Sequence, residues 1–296
     1  MNENGVNRVV RTVVFAESSG GGNPCPVVFG GDFLSPAEMQ RMAAEFGVET
    51  AFVLSPINPH ADFRLRYFVP KHEMEMCVHA TVGFATVYWK ENSPTASTIQ
   101  VESPLGIIAV HRIDDSLKPL VMVEQFPPTF AERAPNIESV AEVLDISPTN
   151  IRNDIPIQSV STSRSKLIVP INDVHILHGL KPNFEALWSL CDDYDTTGLY
   201  PFVVTEARET LVGEARQFPK RSGYPEDPAT GVAVSALSAY CVANKLTVDN
   251  EKDGWHVIKV HQGRAIGRPS TIIARCRIVG EDIIATQVGG RAEIEN

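Results

Sequence analysis

The segment from Ala80 to Trp89 reads Ala-Thr-Val-Gly-Phe-Ala-Thr-Val-Tyr-Trp and has almost no polar side. A helix that is apolar on every side must be enclosed by other elements. Residues 230–243 repeat this pattern as Thr-Gly-Val-Ala-Val-Ser-Ala-Leu-Ser-Ala-Tyr-Cys-Val-Ala. Each segment follows a polar, turn-like approach, and each helix opens on Ala-Thr, at Ala80-Thr81 and at Ala229-Thr230. The two segments therefore predict two buried helices, one in each half of the chain.

The residues that follow each predicted helix also match. A strand, a tight turn and a second strand are predicted over 99–110 and again over 257–274. We interpret this order as an internal duplication, in which each half is a strongly curved sheet around one buried helix. Proline-rich punctuation at 126–135 places the boundary there and predicts domains 1–125 and 126–296. The last strand either stays in the second domain or returns to the first.

The first half shows further strand and helix signals. Ser35 followed by Pro36 and Glu38 is typical of a helix start, and Gly47 of its end. Strands are predicted from β-branched and alternating patterns over 8–16, 27–29, 51–54, 61–68, 99–102 and 107–112. Together with the two buried helices, these elements predict an α+β fold.

Composition narrows the class of protein. The chain has 296 residues, 43% of them hydrophobic, and a net charge of −10, which disfavours nucleic acid as a partner. No apolar run is long enough to span a membrane. The five cysteines form no C-x-x-C pair, and the eight histidines lack metal-ligand spacing. We expect a soluble cytoplasmic protein without a metal site or a disulfide framework.

The N-terminal ends of the two buried helices offer unpaired N–H groups that bind an anion such as a substrate carboxylate. In the first approach, His79 is placed to donate to a bound oxygen, or else it caps its own helix. Cys77 is either a thiolate base, activated at the helix end, or a packing residue, which is the favoured interpretation. In the second approach, Asp227 is either an N-cap or, by analogy with the first half, a ligand-binding residue.

Glu49 directly precedes an apolar strand in Gly47-Val48-Glu49-Thr50-Ala51-Phe52-Val53. One interpretation is a solvated charge at a strand start. The other is a carboxylate buried in a cleft, where desolvation raises its pKa towards the working pH and makes it a proton shuttle.

Six short motifs, in this order, resemble those of the phenazine-biosynthesis PhzF-like isomerases over about residue 12 to Gly290. They are Gly22-Asn23-Pro24, Glu49-Thr50-Ala51-Phe52-Val53, Arg66-Tyr67-Phe68-Val69-Pro70, Cys77-Val78-His79-Ala80-Thr81, Glu226-Asp227-Pro228-Ala229-Thr230-Gly231, and Gln262-Gly263-Arg264 through Gly267-Arg268-Pro269-Ser270.

The resemblance implies a diaminopimelate-epimerase-like fold: two pseudo-symmetric domains, each a curved antiparallel sheet or barrel around a central helix, with the active site between them. It implies a cofactor-independent isomerase, commonly a homodimer, that shifts a carbon-bound proton in a small carboxylate-bearing metabolite. Glu49 is then the catalytic acid/base. The substrate-binding residues that the motifs imply are His79, Asp227, Val78, Ala80, Thr230, Gly231 and Asn23.

This chain departs from the family pattern at three positions. Val78 stands where the family usually has glycine, and Val232 and Val48 stand where it usually has serine. These changes predict a less polar or differently shaped substrate. Two alternatives stay open: a thiol-assisted epimerase that uses Cys77, and a catalytically degenerate small-molecule-binding protein of the same fold. A two-thiol racemase is disfavoured, because the second approach reads Asp-Pro-Ala without a cysteine.

Overall fold

A computed structural model describes residues 8–92, 95–208, 210–247 and 254–295. The first seven residues and Asn296, which the predicted domains include, lie outside the described residues. The helices described are α1 (Pro36–Phe46), α2 (Val78–Asn92), α3 (Ile137–Leu144), α4 (Val174–Gly179), α5 (Phe184–Asp193) and α6 (Gly231–Ala243).

The strands that the structure describes are β1 (Arg8–Val14), β2 (Asn23–Phe29), β3 (Thr50–Leu54), β4 (Phe63–Phe68), β5 (Glu73–Met74), β6 (Thr98–Ser103), β7 (Gly106–Arg112), β8 (Val121–Gln125), β9 (Thr129–Phe130), β10 (Gln158–Ser161), β11 (Lys166–Pro170), β12 (Gly198–Ala207), β13 (Leu211–Ala215), β14 (Phe218–Pro219), β15 (Trp255–Gln262), β16 (Ser270–Val279), β17 (Asp282–Gly290) and β18 (Ala292–Ile294).

The described chain divides into two compact units. The first holds the residues up to Ala16, Gly22–Glu124 and the chain from Gly289 onward, and the second holds Glu17–Gly21 and Gln125–Val288. Strand β18 thus lies in the first unit. The division between Glu124 and Gln125 is one residue from the predicted boundary. That the two units are separate folding domains stays a prediction.

The two units repeat one order of strand pairing. In the first unit, β1–β2 is antiparallel, β2–β3 parallel, β3–β4 antiparallel, β4–β6 parallel and β6–β7 antiparallel. In the second unit, the pairs β10–β11, β11–β12, β12–β13, β13–β15 and β15–β16 follow the same alternation. The prediction of an α+β fold with two pseudo-symmetric halves is confirmed.

The expectation of antiparallel sheets needs one correction, because both sheets are mixed. Two parallel strands cannot be joined by a tight turn and need a crossover connection, which is usually a helix. In the first unit α1 connects β2 to β3, and α2 lies between β4 and β6. In the second unit α4 and α5 lie between β11 and β12, and α6 lies between β13 and β15. The central helices are therefore the crossovers of their own sheets.

Both central helices are enclosed, as their sequences predict. In α2, 11 of 15 residues are buried, and the helix packs on β1, β2, β3 and β18. In α6, 11 of 13 residues are buried, and the helix packs on β10, β11, β15 and β16. Helix α2 packs closely on β1 at Gly83, where a Cβ atom would lie 2.7 Å from Thr12 Oγ1.

The opposite face of each sheet is covered by the outer helices. Helix α1 has the predicted capping box at Ser35 and Glu38 and packs its apolar face on β2, β3 and β4. Helices α3, α4 and α5, which the sequence analysis missed, cover the second sheet in the same way. All five residues of β3 and all five of β11 are buried, because both faces of these strands are covered.

No helix in the described part of the chain is both long enough and apolar enough to cross a membrane.

Candidate functional site

Glu49 lies directly before β3 in the first unit and is only 8% exposed, so its interpretation as a solvated charge is wrong. Its Oε2 atom lies 3.5 Å from Nε2 of His79, which is 4% exposed. This separation is slightly longer than a good hydrogen bond, and the pair is ionic only when the imidazole is protonated. The first unit therefore places a buried carboxylate beside an imidazole at the start of its central helix.

Cys77 contacts the other side of the same imidazole. Its Sγ atom lies 3.3 Å from His79 Nδ1, and Cys77 is buried. His79 thus has a thiol near one ring nitrogen and the Glu49 carboxylate near the other. The direction of the Cys77–His79 hydrogen bond depends on the tautomer of the ring. The thiol donates to Nδ1 when Nδ1 carries no proton, and Nδ1 donates to the sulfur when it does.

Backbone N–H groups at the start of α2 complete this half of the site. The N–H of Thr81 donates to the carbonyl of Cys77 at 3.1 Å, and Val78, His79 and Ala80 precede it in the first turn. By α-helix geometry, the N–H groups of these three residues have no acceptor within the helix. Val78 and Ala80 are buried, and the side chain of Val78 adds bulk at a point where glycine would leave space.

Cys25 and Tyr67 lie close to this cluster, and neither was predicted as a site residue from the sequence. Burial and the negative charge of Glu49 raise the pKa of the Cys25 thiol well above its ordinary value. Burial likewise raises the pKa of Tyr67, whose hydroxyl lies 2.8 Å from Thr81 Oγ1. Both groups are neutral at ordinary pH. Tyr67 stands within a family motif, and Cys25 follows Asn23, which is buried at the start of β2.

In the second unit, Asp227 precedes α6 and is 6% exposed. Its interpretation as the N-cap is wrong, because Thr230 occupies that position and Gly231 begins the helix. The Thr230 hydroxyl donates to Asp227 Oδ2 at 2.5 Å, and the Ala229 N–H donates to Oδ1 at 3.4 Å. Val232 is buried in the first turn. The structure thus brings Asp227, Thr230 and Gly231 together at the start of α6.

Gln262, at the end of β15, holds this loop and was also missed as a site residue. Its Nε2 donates to the Asp227 carbonyl at 2.7 Å and to Thr230 Oγ1 at 3.1 Å. The next residue, Gly263, has φ of 77°, and a Cβ there would lie 2.7 Å from the Pro228 carbonyl. The signal is present in the sequence, since Gln262-Gly263-Arg264 belongs to one of the motifs that resemble the family.

A family model described as phenazine biosynthesis-like protein matches residues 12–296. The chain belongs to this family. An uncharacterized isomerase of Clostridium acetobutylicum is 31% identical to this family member, over 92% of this chain and 91% of its own. The trans-2,3-dihydro-3-hydroxyanthranilate isomerase of Pseudomonas aeruginosa is 29% identical over 96% of each chain. The crystal structure of a Bacillus anthracis PhzF-family protein matches with a TM-score of 0.85 at 26% identity, covering 98% of this chain and 97% of the other.

These comparisons confirm the family resemblance, the diaminopimelate-epimerase-like fold and the prediction of an isomerase. They do not reach the roles of individual residues, so the predicted site residues stay predictions. Among the described residues, no group of three or more His, Cys, Asp or Glu side chains is arranged to hold a metal ion.

Proposed function

We propose that this PhzF-family member shifts a carbon-bound proton within a small carboxylate-bearing metabolite, with Glu49 as the single acid/base and without a cofactor. The observation that carries the proposal is the burial of Glu49 beside His79, at the start of α2. A carboxylate shielded from water and within reach of an imidazole suits general acid–base catalysis, which contributes about 10²–10⁴-fold in rate.

The proposed reaction conserves protons and electrons. Glu49 takes a proton from one carbon of the substrate, and the electron pair delocalises into the adjacent unsaturated or carbonyl system. The protonated carboxyl of Glu49 then returns the proton to another carbon. Backbone N–H groups at the start of α2 stabilise the negative charge that develops on a substrate oxygen.

Substrate binding is assigned in this proposal to the residues around the two helix starts. They are Asn23, Val78, His79 and Ala80 in the first unit, and Asp227, Thr230 and Gly231 in the second. The relative from Pseudomonas aeruginosa is named for an amino acid with a ring hydroxyl, trans-2,3-dihydro-3-hydroxyanthranilate. We propose a different substrate for this chain, less polar or differently shaped, because Val78 and Val232 are both buried at the starts of the central helices.

One observation favours a second candidate function. The contact of 3.3 Å between Cys77 Sγ and His79 Nδ1 resembles an activated thiol, which would make the enzyme a thiol-assisted epimerase. In that case Cys77, rather than Glu49, removes the proton.

Deuterium exchange separates these functions. Small carboxylic acids, including anthranilate-type ring acids, are incubated with the protein in D2O, and incorporation at carbon is followed by NMR. We expect Glu49→Gln to lower exchange about 10²-fold or more, and Cys77→Ala to leave it within a few-fold of the unchanged protein. Glu45→Gln is the matched control, because Glu45 is an exposed residue of α1.

The opposite pattern, exchange retained in Glu49→Gln and lost in Cys77→Ala, would establish the thiol-assisted epimerase instead. Thermal stabilisation by an acid that never incorporates deuterium would identify a binding protein that has lost the chemistry.

A further inference from the structure

Asp227 lies at the end of a buried chain of side-chain hydrogen bonds in the second unit. The Tyr200 hydroxyl donates to Gln262 Oε1 at 2.9 Å, Gln262 Nε2 donates to Thr230 Oγ1 at 3.1 Å, and the Thr230 hydroxyl donates to Asp227 Oδ2 at 2.5 Å. All four side chains are buried.

The backbone sets the orientation of the Gln262 amide. Its Nε2 faces the carbonyl of Asp227 at 2.7 Å, which can only accept, and its Oε1 faces the N–H of Thr230 at 3.3 Å, which can only donate. A flipped amide would place its oxygen against the Asp227 carbonyl and its nitrogen against the Thr230 N–H, at a cost comparable to two lost buried hydrogen bonds. The positions of oxygen and nitrogen in this amide are therefore determined.

The amide orientation in turn sets the direction of the Thr230 hydroxyl. Because Nε2 donates to Thr230 Oγ1, the hydroxyl proton must point elsewhere, and Asp227 Oδ2 is its partner. A hydroxyl that donates to a carboxyl oxygen stabilises the ionised carboxylate over the protonated acid. At the far end, burial and the charge of Asp227 raise the pKa of Tyr200, so the phenol keeps its proton, which it donates to Gln262 Oε1.

We propose that Gln262 is a positioning residue that, through Thr230, holds Asp227 as an acceptor-only carboxylate, so that the substrate group bound at Asp227 is a hydrogen-bond donor, an ammonium or a hydroxyl. The substrate class rests on the proposed function, in which Asp227 binds substrate. A carboxylate in this state does not donate and repels a second carboxylate. Asp227 is consequently a binding group and not a second acid in the reaction.

Titration of Asp227 in the full chain without ligand tests the positioning. The carboxyl carbon is observed by NMR after selective ¹³C labelling of aspartate, and assigned with Asp227→Asn. We expect Thr230→Val to raise the pKa of Asp227 by about one pH unit or more, since a charge-assisted hydrogen bond is lost. Thr230→Ser keeps the hydroxyl and should leave the titration within about 0.3 units of the unchanged protein.

Neighbouring charges of this unit do not change in these variants. Tyr200 on β12 stays neutral, and Glu226, next to Asp227, stays paired with Arg216 at 2.6 Å. Thr205→Val, an exposed threonine on β12, is the matched control for loss of a hydroxyl. If Thr230→Val titrates like the unchanged protein, or if Thr230→Ser behaves like Thr230→Val, the proposal is wrong.

The role of Gln262 is tested by non-additivity. Gln262→Met should raise the pKa of Asp227, but it should add nothing further in the Thr230→Val background, since it acts through Thr230. Equal and additive effects would contradict the positioning role. Both outcomes are independent of whether Glu49 carries the chemistry, which the exchange experiment decides.

The substrate class is tested with two ring acids of similar size. Anthranilate carries an amino donor next to its carboxylate, and phthalate carries a second carboxylate in the same place. We expect about tenfold tighter binding of anthranilate, a preference that Asp227→Asn and Thr230→Val reduce and Thr230→Ser retains. Equal affinity for the two acids, including no measurable binding of either, would overturn this part of the proposal.

Discussion

At the scale of single residues, Arg216 ties the loop before α6 to the end of α4. Its guanidinium makes two hydrogen bonds to the Glu226 carboxylate, at 3.0 and 2.6 Å. The remaining nitrogen donates to the carbonyls of Leu177, His178 and Leu180 at 2.9–3.1 Å. Arg216 and Glu226 are both buried. Removal of either side chain therefore leaves the charge of the other buried without a partner.

We expect Arg216→Met to lower the free energy of unfolding by roughly 3–5 kcal/mol, because Glu226 is left buried without its partner. Urea unfolding at neutral pH measures this loss. Arg221→Met is the matched control: Arg221 pairs with Asp192, but its side chain is 54% exposed, and such a pair contributes less than about 1 kcal/mol.

The double variant Arg216→Met/Glu226→Leu should recover much of the lost stability, since no unpaired charge remains. If Arg216→Met were no more destabilising than Arg221→Met, the buried pair would not hold the loop.

Burial was the property of the site residues that the sequence could not supply. Glu49 reads as an ordinary charge before an apolar strand, and its enclosure depends on α2, which is distant in sequence. The Asp227 loop depends in the same way on Gln262, 35 residues further along the chain. By contrast, the motifs that lead into α2 and α6 could be located from the sequence, since the residue order at each helix start is local.

At the scale of elements, the contact of α2 with β1 depends on a glycine. A Cβ atom at Gly83 would lie 2.7 Å from Thr12 Oγ1, and that hydroxyl is itself held by a hydrogen bond of 2.7 Å to the Cys25 carbonyl. The Thr12 side chain cannot move away from the helix without breaking this hydrogen bond. Gly83 therefore sets how closely the central helix approaches its sheet.

We expect Gly83→Ala to destabilise the protein by about 1–3 kcal/mol as an overpacked core position, although alanine is the better helix former. Gly179→Ala, at the end of α4, is the control, because no atom lies within 4 Å of its added Cβ. Unfolding in urea should show a loss for the first variant and little change for the second.

The variant Thr12→Ala removes the obstructing hydroxyl. In this background the cost of Gly83→Ala should become smaller. An unchanged cost would mean that the clash with β1 is not its cause.

The central helices were predictable from the sequence, because a helix without a polar face must be enclosed by other elements of the fold. Helices α3, α4 and α5 were not recognised, although Asn136, Asp173 and Asn183 cap them in the usual way. The parallel strand pairs were not predictable from local patterns, since a strand sequence does not state the direction of its partner.

At the scale of the whole molecule, all five cysteines lie in the described part of the chain, and all are buried thiols. Burial raises the pKa of the Cys191 and Cys276 thiols from 9.0 to about 12, and that of Cys25 and Cys241 further. The native state thus keeps thiol protons that the unfolded chain releases above about pH 9.

It follows that stability is unaffected by these thiols below about pH 9 and falls as the pH rises from there towards 12. We expect a lower urea midpoint at pH 10 than at pH 7.5, in the presence of reductant. A variant with Cys241→Ala should show a shallower decline between the two conditions. Rapid reaction of the native thiols with a disulfide reagent at pH 7.5 would contradict their enclosure.

The membership of β18 in the first unit has a consequence for expressing the two halves of the chain separately. Strand β1 pairs with β18, which comes from the far end of the chain. An N-terminal fragment that ends at Glu124 would contain β1 but not β18. The edge of β1 that pairs with β18 would then be exposed and could pair with other chains, which leads to aggregation. The two halves are therefore suited to split-protein complementation: each is incomplete when expressed alone, and the C-terminal fragment must supply the strand that closes the edge of its partner.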